Sequence, residues 1–199
     1  PALHPDVQAQ SGTDVMERLR SRFEHIHSLR ADFIQTIYQP DGSEAGTMQG
    51  EILLQKDRYR IETPEQTLVT DGHVTWIYNR ATNQVLINDY LDDETTFSLN
   101  DFLFDFDRQY EILSVGKALL GGKEHDIVRL RPLDPNSLFR EILVVVRPED
   151  TMIRRIELTD VNETRITFDL RNHEIDPPLP PDAFVFSPPE GAEIVDLRS

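Results

Sequence analysis

The period of the apolar positions changes once along the chain. Val15, Leu19, Phe23, Ile26 and Leu29 recur at steps of three or four, which lines one face of a helix. Thr13 or Asp14 can cap this helix, and Glu17 stands where a capping box places a carboxylate. The spacing predicts a helix from Thr13 or Asp14 to about Arg30. Residues 1–12 are polar and contain proline, and are expected to fray.

After Arg30 the period falls to two. "RADFIQTIYQ", "TMQGEILLQK", "DRYRIETP", "QTLVTDG", "HVTWIYN" and "QVLINDY" are short, and turn residues separate most of them. "HDIVRLRPL", "FREILVVVRP", "MIRRIELTDV" and "ETRITFDLRN" continue the pattern further on. Such spacing predicts an antiparallel meander of about ten or eleven strands rather than alternating strands and helices. In "TDGHVTWIYNRATNQV", Asp71-Gly72 is a tight-turn signal, and Val74, Trp76 and Tyr78 alternate with His73, Thr75 and Ile77. Alternation puts the first three on one face without saying which face is concave. Gly121-Gly122 reads as a hairpin turn. The closing "DPPLPPDAFVFSPPEGAEIVD" is too rich in proline for a helix and suits edge or extended structure.

One segment fits neither period. "LDDETTFSLNDFLFDFDRQY" sets Phe97, Leu99, Phe102, Leu103, Phe104 and Phe106 among acidic residues. That much apolar surface predicts a short helical flap packed on something else. No repeat or linker divides the chain, so a frayed segment 1–12 and a single domain 13–199 are expected.

Composition narrows the function classes. The chain has 199 residues, 38% of them hydrophobic, with a net charge of −16. Such acidity opposes binding to nucleic acid, whose phosphates it would repel. There is no cysteine, hence no disulfide and no thiol nucleophile. No apolar run reaches the roughly 18–20 residues of a membrane-spanning helix. The start, "PALHPDVQAQSGTD", has neither the basic end nor the apolar centre of a secretory signal.

The sequence offers no catalytic constellation. His25 and His27 fall on different sides of the predicted helix, and no histidine has metal-ligand spacing to another ligand. Asp89, Asp92, Asp93 and Glu94 lack the order of a calcium loop and read as a solvated acidic face. In "GKALLGGKEH" the residues needed for a phosphate loop are missing after the second glycine. No metal and no cofactor are expected, and the chain reads as a non-enzyme. What remains is more apolar surface than one sheet face requires. It either fills a core or walls a cavity beneath a helix and a flap.

Several motifs, in order, resemble the LolA family of outer-membrane lipoprotein carriers. They are "ADFIQT" after an amphipathic helix, then Gly50, Arg60, Pro64, Asp71-Gly72, Trp76, Tyr78 and Gln84-Val85. The close through Phe184, Phe186, Pro188, Pro189, Gly191 and Asp196 follows the same family. The resemblance implies a mainly β fold: an unclosed, half antiparallel β-barrel of about 11 strands, covered by an N-terminal helix and short lid helices. It implies a periplasmic carrier, exported by a signal peptide since removed. Such a carrier takes lipoproteins from an inner-membrane ABC-type lipoprotein-releasing complex to an outer-membrane acceptor lipoprotein where one is present. The alternative is a lipid- or lipoprotein-sensing regulatory domain on the same half-barrel.

On this reading the acyl-chain cavity and lid are formed by Leu19, Phe23, Phe33, Ile52, Leu54, Trp76, Tyr78, Phe97, Phe102, Leu103 and Phe106. Family members hold the lid closed with an arginine in an Arg-Pro pair. This chain has Gln55-Lys56 at that place, which leaves Lys56, Arg58 and Arg60 as candidate latches.

Overall fold

The computed structural model describes residues 5–90 and 106–198, with side chains described for 13–90 and 107–198. Helix α1 spans Pro5–Glu24, and one further turn, α2, spans Phe106–Gln109. The strands are β1 (Leu29–Tyr38), β2 (Glu44–Gln55), β3 (Arg58–Glu62), β4 (Gln66–Thr70), β5 (Val74–Asn79) and β6 (Gln84–Asp89). They continue as β7 (Tyr110–Leu120), β8 (Lys123–Pro132), β9 (Phe139–Val146), β10 (Ile153–Asp160), β11 (Arg165–Ile175) and β12 (Glu193–Asp196). They hydrogen-bond in the order β12-β6-β5-β4-β3-β2-β1-β11-β10-β9-β8-β7. The series never returns on itself, so this is one open, unclosed sheet in a mainly β chain. The pairs from β2 to β6 and from β7 to β11 are antiparallel. Short β12, from the proline-rich ending, adds to the edge of β6 in parallel.

Two elements differ from the expectation. The helix runs from Pro5 to Glu24, not from Thr13 or Asp14 to Arg30. It starts inside the polar segment 1–12 and stops although Ile26 and Leu29 keep its period. Past its end, the amides of His27 and Ser28 donate to the Asp176 carboxylate at 2.7 and 2.9 Å. That acceptor lies far along the chain, so no local pattern announces the stop. The second difference is β7, which alternation does not reveal. A register shift between Ile112 and Ser114 interrupts its period. The Gly121-Gly122 turn is as expected: both glycines have positive φ, 60° and 78°, and Leu120 pairs with Lys123. Gly-Gly suits the primed turn of a two-residue hairpin.

The chain forms two compact units. The first comprises Pro1–His25, Ile34–Thr47 and Glu94–Leu170. Register sets Val115, Val128, Val144, Ile156 and Phe168 side by side across β7 to β11. Ile112, Leu130, Ile142, Leu158 and Ile166 form the next row on the same face, since side chains alternate along a strand. Val128, Leu130, Ile142, Val144, Ile156 and Leu158 are buried. Helix α1 packs on β7 and β8 and buries Val15, Met16, Leu19 and Phe23. Arg18 of the helix donates to Asp126 at 3.0 Å, and Asp126 shares the face of Val128 and Leu130. Arg20 reaches Asp107 of α2, also at 3.0 Å.

The opposite face of this unit mixes Ile127, Leu143 and buried Val145 with ion pairs. Arg155 grips Asp169 with two bonds, of 3.0 and 2.7 Å, and Arg154 adds a third at 2.7 Å. Burial pushes the Asp169 carboxyl up, but the Arg155 hydrogen bond and the Arg155 and Arg154 charges outweigh it and hold it below its ordinary 3.8. A depressed folded-state value means stabilisation that is complete above about pH 4 and is lost as pH falls through that lower value. Asp169→Asn is therefore expected to cost about 2 kcal/mol at pH 7, the buried-pair cost reduced for partial exposure. It should also flatten the acid limb. Urea midpoints at pH 7 and pH 3 read both effects, and an unchanged difference between them would contradict the assignment.

The second unit comprises Ile26–Phe33, Met48–Asp93 and Arg171–Ser199. Its strand pairings build the surface considered next.

Candidate functional site

In a sheet, residues directly opposite one another project to the same face. Ile52 pairs with Ile61, Ile61 with Leu68, Leu68 with Ile77, and Ile77 with Leu86. Leu86 pairs with Val195 of β12. Six aliphatic side chains from six strands thus form one continuous stripe across the second unit. All six are partly exposed, whereas the central residues of the first unit's rows, Val128, Leu130, Ile142, Val144, Ile156 and Leu158, are buried.

Polar rows border the stripe on its own face. On one side stand Tyr59, Thr70, Thr75 and Asn88, in register across β3 to β6, with Leu54 continuing the row on β2. On the other side stand Gln66, Asn79, Gln84 and Glu193, with Gln84 donating to Glu193 at 3.0 Å. Burial pushes the Tyr59 hydroxyl up from its usual range. At the β1 end lies Phe33, which is only 7% exposed. Gly50 is two residues from Ile52 and so shares its face. A side chain on Gly50 would meet the Phe33 ring at 2.7 Å and the Glu62 carbonyl at 2.4 Å. Only glycine leaves that ring its place.

The opposite face of the same strands is covered in part. It carries Leu53, Arg60, Val69, Trp76 and Ile87 in one row, and Glu51, Glu62, Thr67, Tyr78 and Val85 in the next. Leu53, Thr67, Val69 and Val85 are buried there. Leu53 clusters with Leu179, Ala183 and Phe184 of the C-terminal segment. The Tyr78 ring lies 6.1 Å from that of Phe186. Glu62 accepts from Arg60 and Thr67 at 2.8 and 2.7 Å and from Arg80 at 2.9 Å. Burial works against its charge, but these donors keep the Glu62 carboxyl below the ordinary range.

Register therefore divides the predicted cavity residues. Ile52 and Leu54 are on the stripe face, with Phe33 at its end. Trp76 and Tyr78 project to the opposite face, where both are partly exposed. Leu19 and Phe23 are buried in α1 of the first unit. Phe106 opens α2, and its side chain lies outside the described residues, as do Phe97, Phe102 and Leu103 altogether. Of the candidate latches, Lys56 sits exposed in the β2–β3 turn with φ 56°. Arg58 stacks its guanidinium 5.1 Å from the centre of the Phe184 ring. Arg60 reaches the Ala183 carbonyl at 3.5 Å. These two arginines hold the C-terminal segment. The stripe residues Ile61, Leu68, Ile77, Leu86 and Val195 are absent from the predicted set. Each is one aliphatic position in a short strand, and only the cross-strand register makes them one surface.

Among the described residues no group of histidine, aspartate or glutamate could hold a metal ion. No described helix is long and apolar enough to cross a membrane. The stripe offers no nucleophile, acid or base. Its one chemical property is a long, narrow, apolar strip between hydrogen-bonding borders.

The family model for the outer membrane lipoprotein carrier protein LolA matches residues 24–187. The chain belongs to the LolA family. Among its relatives, a Nitrosospira multiformis protein named outer-membrane lipoprotein carrier protein is 29% identical over 183 residues, covering 89% of this chain and 86% of its own. A protein of the same name from Chromohalobacter salexigens is 27% identical, over 98% of this chain and 91% of its own. Among solved structures, an uncharacterized conserved protein from Thermus thermophilus superposes with a TM-score of 0.63 at 13% identity, covering 94% of this chain and 99% of that one. MucB of Pseudomonas aeruginosa, solved with MucA, gives 0.54 at 15% identity over 89% of this chain and 61% of that one. Both share the fold of this LolA chain. LolA proteins are carriers and not enzymes, in keeping with a site that has no reactive group.

Proposed function

We propose that this LolA chain is a periplasmic lipoprotein carrier that seats acyl chains on the stripe of its second unit. It receives lipoproteins from an inner-membrane ABC-type releasing complex and delivers them to an outer-membrane acceptor. The supporting observation is the register of Ile52, Ile61, Leu68, Ile77, Leu86 and Val195, which joins six strands into one partly exposed aliphatic surface. Removing a methylene from water contributes ~0.8 kcal/mol when burial is complete. An open stripe covers a chain on one side and gains a fraction of that per carbon. Such a site holds its cargo in water and still releases it.

The test uses inner-membrane vesicles that contain the releasing complex and a radiolabelled lipoprotein. With ATP and this protein, labelled lipoprotein is expected in the soluble fraction, bound to the carrier. If label stays with the membranes while an established LolA releases it, the carrier reading fails.

A further inference from the structure

We infer that the stripe seats a single acyl chain laid across the strands, with its methyl end at Phe33 and its carbonyl end at β12, and that stripe length sets the preferred chain length. This rests on the carrier reading above and adds direction, number and length to it.

The direction follows from where the apolar surface is continuous. Along any one strand of β4 to β6 it is short. On β5, for example, the same face runs Thr75, Ile77, Asn79, so polar side chains stand about 7 Å to either side of Ile77. A long hydrocarbon chain parallel to these strands would press its methylenes onto Asn79, Gln66 and Gln84. Across the strands, aliphatic side chains continue without interruption from Ile52 to Val195. The width between the borders suits one chain.

The polarity follows from the two ends. At β1 the buried Phe33 ring occupies the space beside Gly50, two residues from Ile52, so this end lies against a packed side chain. At the other end β12 is an edge strand, with Glu193, Ile194 and Asp196 exposed. A lipidated cysteine carries a polypeptide that must stay in water. Its acyl carbonyl therefore belongs at the open edge, and its methyl end at the packed one.

The length follows from strand spacing. Six strands about 4.8 Å apart span roughly 24 Å. An all-trans chain of ~1.5 Å bonds advances about 1.3 Å per carbon, so the strip accommodates roughly eighteen or nineteen carbons. One strand spacing corresponds to about four carbons.

The experiment measures the affinity of the full chain for lipopeptides bearing one saturated acyl chain of 10 to 20 carbons. Affinity is expected to rise roughly two- to fourfold per methylene and to level off at roughly eighteen or nineteen carbons. Val195→Asp, at the open edge, should move the plateau down by about four carbons. Leu86→Asp, one strand further in, should move it down by about four more. Circular dichroism and thermal midpoints establish that both variants are folded. A plateau that stays in place in both variants, with all lengths weakened alike, would overturn the across-strand seating while the carrier reading stands. Wild-type protein that binds no chain of any length would overturn the carrier reading itself.

Discussion

Ile77→Glu is expected to weaken acyl-chain binding by about 100-fold or more, equivalent to ~2.8 kcal/mol, with little change in thermal stability. Ile77 is central to the stripe, paired with Leu68 on one side and Leu86 on the other. It is partly exposed, so a glutamate there can keep its carboxylate hydrated in the empty protein. A bound acyl chain removes that water and supplies no donor. The nearest charged or amide groups on the same face are a row away, and burying an unpaired carboxylate costs several kcal/mol. Binding should therefore suffer far more than folding. Ile77→Ser, which carries no charge, should reduce binding by a smaller factor and so grade the effect. Displacement of a fluorescent fatty acid, alongside a thermal melt, measures both quantities. Undiminished binding in a folded Ile77→Glu protein would remove the stripe from the site.

Neighbouring Trp76 shows how much of this could be read from the sequence. Alternation places β5 correctly, and Asp71-Gly72 and the polar turn after Asn79 bound it. The same alternation puts Trp76 and Ile77 on opposite faces, which the structure shows. What alternation cannot give is which face stays open, because apolar residues occur on both. The largest aromatic residues draw attention as cavity walls, yet Trp76 and Tyr78 share their face with buried Leu53, Val69 and Val85. What covers Leu53 is the C-terminal segment, more than a hundred residues later in the chain. The stripe was illegible for a related reason. No strand contributes more than one or two of its residues, and the surface exists only once five strand pairings fix the register. The helix stop at Glu24 and the bulge in β7 are hidden likewise, one by a distant carboxylate and the other by a broken period. The family motifs fared differently: Asp71-Gly72 and the Phe-x-Phe close are local features, and they identify the family without revealing the face on which a ligand lies.

Phe184→Ala is expected to destabilise the protein by about 3 kcal/mol and to leave acyl binding by the folded fraction unchanged. Phe184 is 6% exposed and packs with Leu53, Leu179 and Ala183, beneath the Arg58 guanidinium. Truncation removes this contact area, the cation–π contact and the centre of the cluster together. In a chain of this length each kcal/mol lowers the melting midpoint by about 2–4 °C, which gives a drop of roughly 6–12 °C. The loss should begin locally. Beyond Phe184 the segment is held by the Tyr78–Phe186 ring contact, the Asn83 bond to Gly191 at 3.0 Å and the four-residue pairing of β12. With the anchor gone, limited proteolysis should cut between Pro178 and Glu190 well below the global midpoint. The stripe projects from the other side of the same strands, so folded Phe184→Ala protein should bind acyl chains as wild type does. Ile77→Glu and Phe184→Ala thus form a pair with reciprocal outcomes, one losing binding and the other stability. Phe184→Ala losing binding while its melting point held would place the ligand on the opposite face, with Trp76 and Tyr78.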